Sequence, residues 1–319
     1  MTQSKISQIN NEEVITGAEM GHVTVLLSES IENLNLYPGA IFFDGTLGAA
    51  GHTEKVCRSF DGKVKVIATD RDRAALDRAE KRLKSINCDF TPVLSDFRQI
   101  KKVLMGLNIP EIDGVLLDLG LSSNQLDSSG RGFTFRQNEP LLMTFTDNSD
   151  HPSLTAEEVV NDWSEDTLAD IIYGFSDERY GKRIARAIVL AREQKAIKTT
   201  DDLLFIIKSA VPIAYQRGKT HYATKTFQAI RMAVNDELGA LRQGLEDGFE
   251  ALKIGGRIAV ISFHSVEDRL VKNYFRDLKT AGMAVLINKK PIIPTRQEII
   301  NNPRSRSAKL RIIEKVRRK

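Results

Sequence analysis

Four short apolar runs early in the chain each close on or beside an aspartate: AIFFD (40–44), KVKVIATD (63–70), TPVLSDF (91–97) and DGVLLDLG (113–120). Amphipathic stretches, HTEKVCRSF and ALDRAEKRL, separate the first three and read as helices. Strands alternating with helices predict a parallel, doubly wound sheet, because parallel strands need a long crossover between them. Ligands bind such sheets outside the carboxyl ends of the strands, where Asp44, Asp70, Asp96 and Asp118 all fall. A strand-ending turn residue would explain any one of these acids. It explains four in register poorly.

The alternation breaks after residue 120. Residues 121–150 read as a long loop, and residues 155–215 almost wholly as helix: AEEVVNDW, DTLADIIYGF, KRIARAIVLAREQ and DDLLFIIKSAV. An inserted helical module is expected. One long helix from about Thr224 to Leu252 follows, with apolar residues spaced three and four apart and Gly255-Gly256 as its stop. GRIAVISF (256–263), AVLIN (284–288) and AKLRIIEKV (308–316) bring the count to about seven strands. Residues 1–20 read as a flexible leader.

The leader lacks a signal-peptide core, and no apolar run approaches the ~18 residues that cross a bilayer. A cytoplasmic, reduced protein without membrane association is expected. Cys57 and Cys88 form no CxxC pair and the five histidines are scattered, so no metal site is expected. Net charge is +4, yet from residue 301 onward eight cations face Glu314 alone, giving +7 and leaving −3 for the rest. That asymmetry suits a polyanionic partner or, equally, a solvated tail.

Between the first strand and its helix lies DGTLGAAGH, with Gly45, Gly48 and Gly51 spaced G-x-x-G-x-x-G. The dinucleotide spacing G-x-G-x-x-G is absent, and no Gly-Lys-Ser/Thr completes a P-loop. Both phosphate ligands weaken. Asp44 could instead meet an ammonium, Asp70 both ribose hydroxyls, and Phe97 the face of a base. An ammonium, a ribose and an adenine without phosphate describe S-adenosylmethionine (AdoMet).

DGTLGAAGH, LLDLGLSSNQLDSSGRGFTF (116–135), HYATKTFQAIRMAVNDEL (221–238), ISFHSVEDRLVK (261–272) and NPRSRSAKLRI (302–312) together closely resemble the bacterial cytosine-N4 methyltransferases of small-subunit ribosomal RNA, the RsmH/MraW family. The resemblance runs from about Gly21 to the C-terminus with the motifs in family order. It implies an α/β fold, the class I AdoMet-dependent methyltransferase type, Rossmann-like, with an inserted all-helical domain. The implied divisions are 21–124 and 219–319 for the methyltransferase domain and 125–218 for a substrate-recognition insertion. It also implies methylation of N4 of a cytidine in the decoding region of 16S rRNA, within the small subunit, and no DNA partner. Carried over by position, the AdoMet contacts are Ala50, Gly51, His52, Asp70, Phe97, Asp118 and Gln125. The chain departs from the family at Ala50, usually Gly. It departs again at Pro140-Leu141-Leu142-Met143-Thr144-Phe145, usually Pro-Leu-Asp-Met-Arg-Met, and at His221-Tyr222, usually His-Pro.

The exocyclic amine of cytosine is a poor nucleophile, so positioning and hydrogen-bond acceptance must carry the reaction. Asp118 and Ser122, on the turn after the fourth strand, are the catalytic candidates. For substrate, Arg131 and Phe133 could hold a phosphate and stack a base. Arg183 and Arg186, with Arg179 and Lys182, could face RNA backbone. His221, Arg231 and Asn235 could point at the cleft, and His264 could surround the target base. Each has an ordinary alternative: a packed loop, a solvated helix face, or a cap formed by Ser265 and Asp268. Two rival functions remain, a methyltransferase of DNA or protein and a non-catalytic RNA-binding module. The place where DNA amino-methyltransferases carry an Asn/Asp-Pro-Pro-Tyr/Phe element reads DLGLSS here.

Overall fold

The computed structural model describes residues 23–120, 129–145 and 154–317. The first half builds α1 (Leu27–Leu34), β1 (Ile41–Asp44), α2 (Gly51–Ser59), β2 (Lys65–Asp70), α3 (Arg73–Lys84), β3 (Phe90–Leu94), α4 (Ile100–Gly106) and β4 (Ile112–Asp118). These join β5 (Leu252–Ser262), β6 (Ala284–Leu286) and β7 (Lys309–Lys315) in one seven-stranded sheet of order β3-β2-β1-β4-β5-β7-β6. β1 to β5 are mutually parallel, and β7 inserts antiparallel between β5 and β6. This is the mostly parallel, Rossmann-like sheet that the sequence predicts.

Apolar runs such as Val66–Ala68 and Val115–Leu117 are buried on both faces of the sheet, as helices cover both. One face packs Leu34, Val56, Leu76 and Leu83; the other packs Leu104, Leu241, Leu245 and Phe275. The strand order reverses between β1 and β4, which opens the crevice where ligands bind in such sheets.

The helical stretch contains α5 (Ala156–Asp162), α6 (Glu165–Ser176), α7 (Gly181–Arg192), α8 (Thr200–Ala210) and the short α9 (Ile213–Gln216). Thr155 with Glu158 and Thr199 with Asp202 form capping boxes that fix the starts of α5 and α8. Val159, Leu168, Ile172, Ile184, Ile188, Leu203 and Ile207 close a separate core, which Phe133, Leu141 and Met143 enter from the preceding loop. Phe227 and Ile230 of α10 (Thr224–Val234) belong to this core too.

Three expectations need correction. The long helix from Thr224 breaks into α10 and α11 (Glu237–Ala251), because Asp236 adopts a left-handed backbone, φ 48°. Arg98 pins that break by donating to the Asn235 and Asp236 carbonyls and to the Asp236 carboxylate. Gly255-Gly256 do not end a helix. Strand β5 has already begun at Leu252, and the pair shifts its register against β4 between Ile112 and Gly114. A side chain at Gly256 would lie 3.0 Å from the Asp113 carbonyl, so the backbones need glycine there. Lastly, Cys57 and Cys88 are joined by a disulfide linking α2 to the turn before β3, so the expected reduced pair is not found. Sequence spacing could not reveal it, since the fold brings together residues 31 apart. No helix among the described residues is long and apolar enough to cross a membrane.

Candidate active site

A cleft of about 500 Å³ opens at the carboxyl ends of β1, β2 and β4. Its walls include the glycine turn from Gly45 to Gly48, Gly51 and His52 at the start of α2, Asp70–Asp72, Ser95–Phe97 and Asp118–Gly120. The far wall carries Phe145, Asn235, Glu237, Leu241, Phe263 and Glu267, and Val23–Val25 with Asn301–Arg304 close one end.

Local hydrogen bonds explain how these side chains are held. Asp70 Oδ2 accepts the Gly48 N–H at 2.8 Å and its Oδ1 the Asp72 N–H at 2.9 Å, which fixes the acid at the cleft floor. The Thr46 hydroxyl accepts the Asp118 N–H at 2.6 Å, tying the glycine turn to the end of β4. Phe97 packs so closely against two glycines that a methyl on Gly45 or Gly244 would fall within 3 Å of it. The Asp96 carboxylate holds Arg71 and Arg98. The Arg71 guanidinium in turn lies over the Phe145 ring, 5.4 Å from its centre.

Asp118 stands apart. Its side chain is 21% exposed, yet Oδ1 is sealed and meets no hydrogen-bond partner among the described residues. Oδ2 lies 3.8 Å from His52 Nδ1. Burial, followed by the nearby Asp44 and Glu267 carboxylates, pushes its pKa well above the usual value. Burial also raises Asp70, whose backbone hydrogen bonds partly offset it. Asp44 is pushed up to about 6, again mainly by burial. Its oxygens are taken by the Thr46 N–H and the Thr53 hydroxyl. Asp44 therefore braces the loop and does not line the cleft, contrary to its expected meeting with a ligand ammonium.

Among the carried-over positions, Gly51, His52, Asp70, Phe97 and Asp118 line the cleft. Ala50 does not: its methyl is fully buried in the core and its N–H donates to the Leu47 carbonyl. Gly51 is needed for a nearer reason than a ligand, since a side chain there would strike the Thr24 hydroxyl. Ser122 and Gln125 lie outside the described residues.

Of the substrate candidates, Asn235 reaches the cleft, but its amide is occupied: Oδ1 accepts the Phe145 N–H and Nδ2 donates to the Met143 and Arg231 carbonyls. Arg231 faces inward onto Glu237 in a bidentate pair, 2.7 and 2.8 Å, and is not part of the wall. Phe133 is buried and stacks on Phe145, so it is not free to stack a base. The Arg131 guanidinium lies 5.6 Å above the Phe133 ring and donates to the Phe145 carbonyl. His221 stacks between Phe135 and Tyr222, away from the cleft. Arg183 and Arg186 are exposed on α7, as are Lys182 on the same helix and Arg179 in the turn before it. His264 caps α12 (Ser265–Thr280), with Nδ1 accepting the Glu267 N–H, and it lines a neighbouring cavity. The expected cap at Ser265 and Asp268 is thus displaced by one residue, and Asp268 instead binds Lys309 and Arg311. Three cations of the basic C-terminal stretch, Lys309, Arg311 and Lys315, belong to β7: Lys315 donates to the Glu250 and Leu252 carbonyls, and Glu314 pairs with Arg257.

Glu237, Glu267, Arg71 and Phe145 also line the cleft, although sequence analysis did not single them out. Glu267 is the acid three after His264, a capping-box spacing, and that was the available signal.

Residues 19–316 match the model of the MraW methylase family. The chain is 46% identical over 313 residues to the "Ribosomal RNA small subunit methyltransferase H" of Carboxydothermus hydrogenoformans, covering 93% of this chain and 99% of that protein. The protein of the same name from Paenibacillus sp. (strain JDR-2) is 42% identical over 316 residues, covering 92% and 99%. Brevibacillus brevis supplies another, 41% identical over 317 residues, covering 95% and 100%. With a family match across nearly its whole length, the chain belongs to the MraW methylase family.

Proposed function

We propose that this protein is an AdoMet-dependent methyltransferase that methylates N4 of a cytidine in 16S rRNA. The names of its relatives support transfer to small-subunit ribosomal RNA. The observation that carries the amine acceptor is Asp118, a partly exposed carboxylate on the cleft wall whose Oδ1 has no hydrogen-bond partner among the described residues. An exocyclic amine entering beside the Leu119-Gly120 turn would supply one.

The cleft suits the methyl donor. Asp70, already held by two backbone N–H groups, keeps lone pairs for ribose hydroxyls. Phe97 offers an apolar face, and the glycine turn leaves room beside Gly51 and His52. When bound, AdoMet supplies a sulfonium-activated methyl group, so no covalent intermediate is required. Asp118 accepts one N4 hydrogen and orients the lone pair within the roughly 3–3.5 Å that in-line transfer needs. Its raised pKa makes it a better proton acceptor than an ordinary carboxylate as N4 acquires positive charge. The buried Glu267 contributes negative charge nearby, and Ser122 is proposed as a second acceptor for the amine. The remaining substrate contacts are proposed for the insertion, residues 125–218, with Arg183 and Arg186 meeting RNA backbone. The protein would work in the cytoplasm.

The test supplies methyl-labelled AdoMet with small subunits, naked 16S rRNA, duplex DNA and bulk protein, then digests the products. Label in N4-methylcytidine from subunits or rRNA is expected. Label confined to DNA or protein, or no turnover with intact AdoMet and RNA binding, overturns the reading.

A further inference from the structure

We propose that a second cavity beside the cleft, bounded by Phe263, His264, Ser265, Ile293, Arg306 and Lys309, receives the RNA nucleotide next to the one being methylated. The inference rests on the proposed reading of the cleft. The cavity holds about 280 Å³, enough for a single nucleoside. Phe263 lines both the cavity and the cleft, so the two spaces adjoin. Gly120, at the turn after Asp118, lies against the Phe263 ring, where an added methyl would sit 3.3 Å away. A strand threading past the Asp118 turn would therefore place its next base against Phe263.

The lining fits a nucleotide in both halves. Phe263, Ile293 and Pro294 give an apolar wall, with Ile293 62% exposed. Single-stranded RNA is read by splaying bases onto such aromatic and apolar faces. The charged half carries a positive excess. Asp268 is shared between Lys309 and Arg311, so its one negative charge cannot balance both. Arg306 is exposed and pairs with no acid among the described residues. A phosphate suits that excess. The rim between cavity and cleft is also fixed in place. His264 Nε2 lies 3.0 Å from Glu267 Oε1, and the Ser265 hydroxyl is hydrogen-bonded to Asp177 of the helical module.

Two variants at exposed positions test the inference without disturbing the core. Arg306→Glu reverses the charge, and Ser307→Trp fills the cavity from its mouth. The probe is a fluorescein-labelled single-stranded RNA dodecamer with a central cytidine, followed by anisotropy. Both variants are expected to bind it at least fivefold more weakly than wild type, with AdoMet affinity within twofold and unchanged melting. Smaller losses in both variants, or a parallel loss of AdoMet affinity, overturn the inference. Failure of the functional reading looks different: wild type would then bind the dodecamer and respond to both variants, yet place no methyl on cytidine in any RNA.

Discussion

Ala50 shows how a single residue can sit at odds with its backbone. It occupies a left-handed conformation, φ 61°, that costs an L-residue about 1–2 kcal/mol. Its methyl is fully buried, which returns about 0.8 kcal/mol. The two effects nearly cancel, so Ala50→Gly should change stability by less than about 1 kcal/mol in urea unfolding. Ala50→Val, β-branched in the same strained position, should lose more than about 2 kcal/mol. Equal tolerance of both would mean that the backbone there is not strained. Asp118 yields a prediction in pH. Burial and two neighbouring acids raise its pKa, so its protonated form persists to higher pH than for a free carboxylate. If the ionised form accepts the N4 hydrogen, kcat/KM falls as pH drops through that raised pKa. The acid limb of the profile should therefore lie above the ordinary value of 3.8. Asp118→Asn should abolish that limb and cost about 10²-fold or more in kcat, the typical share of a positioned acceptor. A profile whose acid limb sits at an ordinary carboxylate pKa would remove Asp118 from the role.

At the level of elements, the α10–α11 junction carries more than its sequence suggests. A continuous helix would have kept the apolar spacing from Thr224 to Leu252, yet Asp236 breaks it so that Asn235 can brace the Met143–Phe145 loop. The same break turns Glu237 back onto Arg231, with side chains 11% and 14% exposed. Burial drives the Glu237 pKa up while Arg231 draws it back. Removing the cation strands a buried acid, so Arg231→Met should destabilise the fold by about 3–5 kcal/mol at neutral pH. Adding Glu237→Gln should restore most of that loss. A single variant as stable as wild type, or a double variant no better than the single, would contradict this account of the junction. The strands and most helices were legible because period and length repeat along the chain. The junction was not, because a side chain 90 residues away from Phe145 decides it. The same holds for Phe133 and His221, whose aromatic contacts exist only once the helical core has formed. The acids at strand ends were legible as a group. Only the structure separates Asp44, which is consumed by its own loop, from Asp70 and Asp118, which face the cleft.

Across the whole molecule, charge and shape divide the work. The cleft gathers carboxylates at Asp70, Asp118, Glu237 and Glu267, whereas α7 exposes Lys182, Arg183 and Arg186, with Arg179 exposed just before it. Arg179 lies over both Tyr180 and Tyr215, at 4.8 and 5.0 Å, and Arg183 lies 5.8 Å from the Tyr180 ring. A polyanion would be held at the helical face and presented to the acidic cleft. Replacing Arg183 and Arg186 with Glu should weaken RNA binding and flatten its salt dependence, with AdoMet affinity unchanged. An unaltered salt slope would return α7 to an ordinary solvated face. The product itself is read by nucleoside mass spectrometry of 16S rRNA. The rRNA is taken from cells lacking the protein, then from the same cells carrying wild type or Asp118→Asn. N4-methylation of one cytidine in the decoding region should be absent without the protein, restored by wild type and missing with Asp118→Asn. An rRNA whose cytidine N4-methylation is the same in all three would contradict the account.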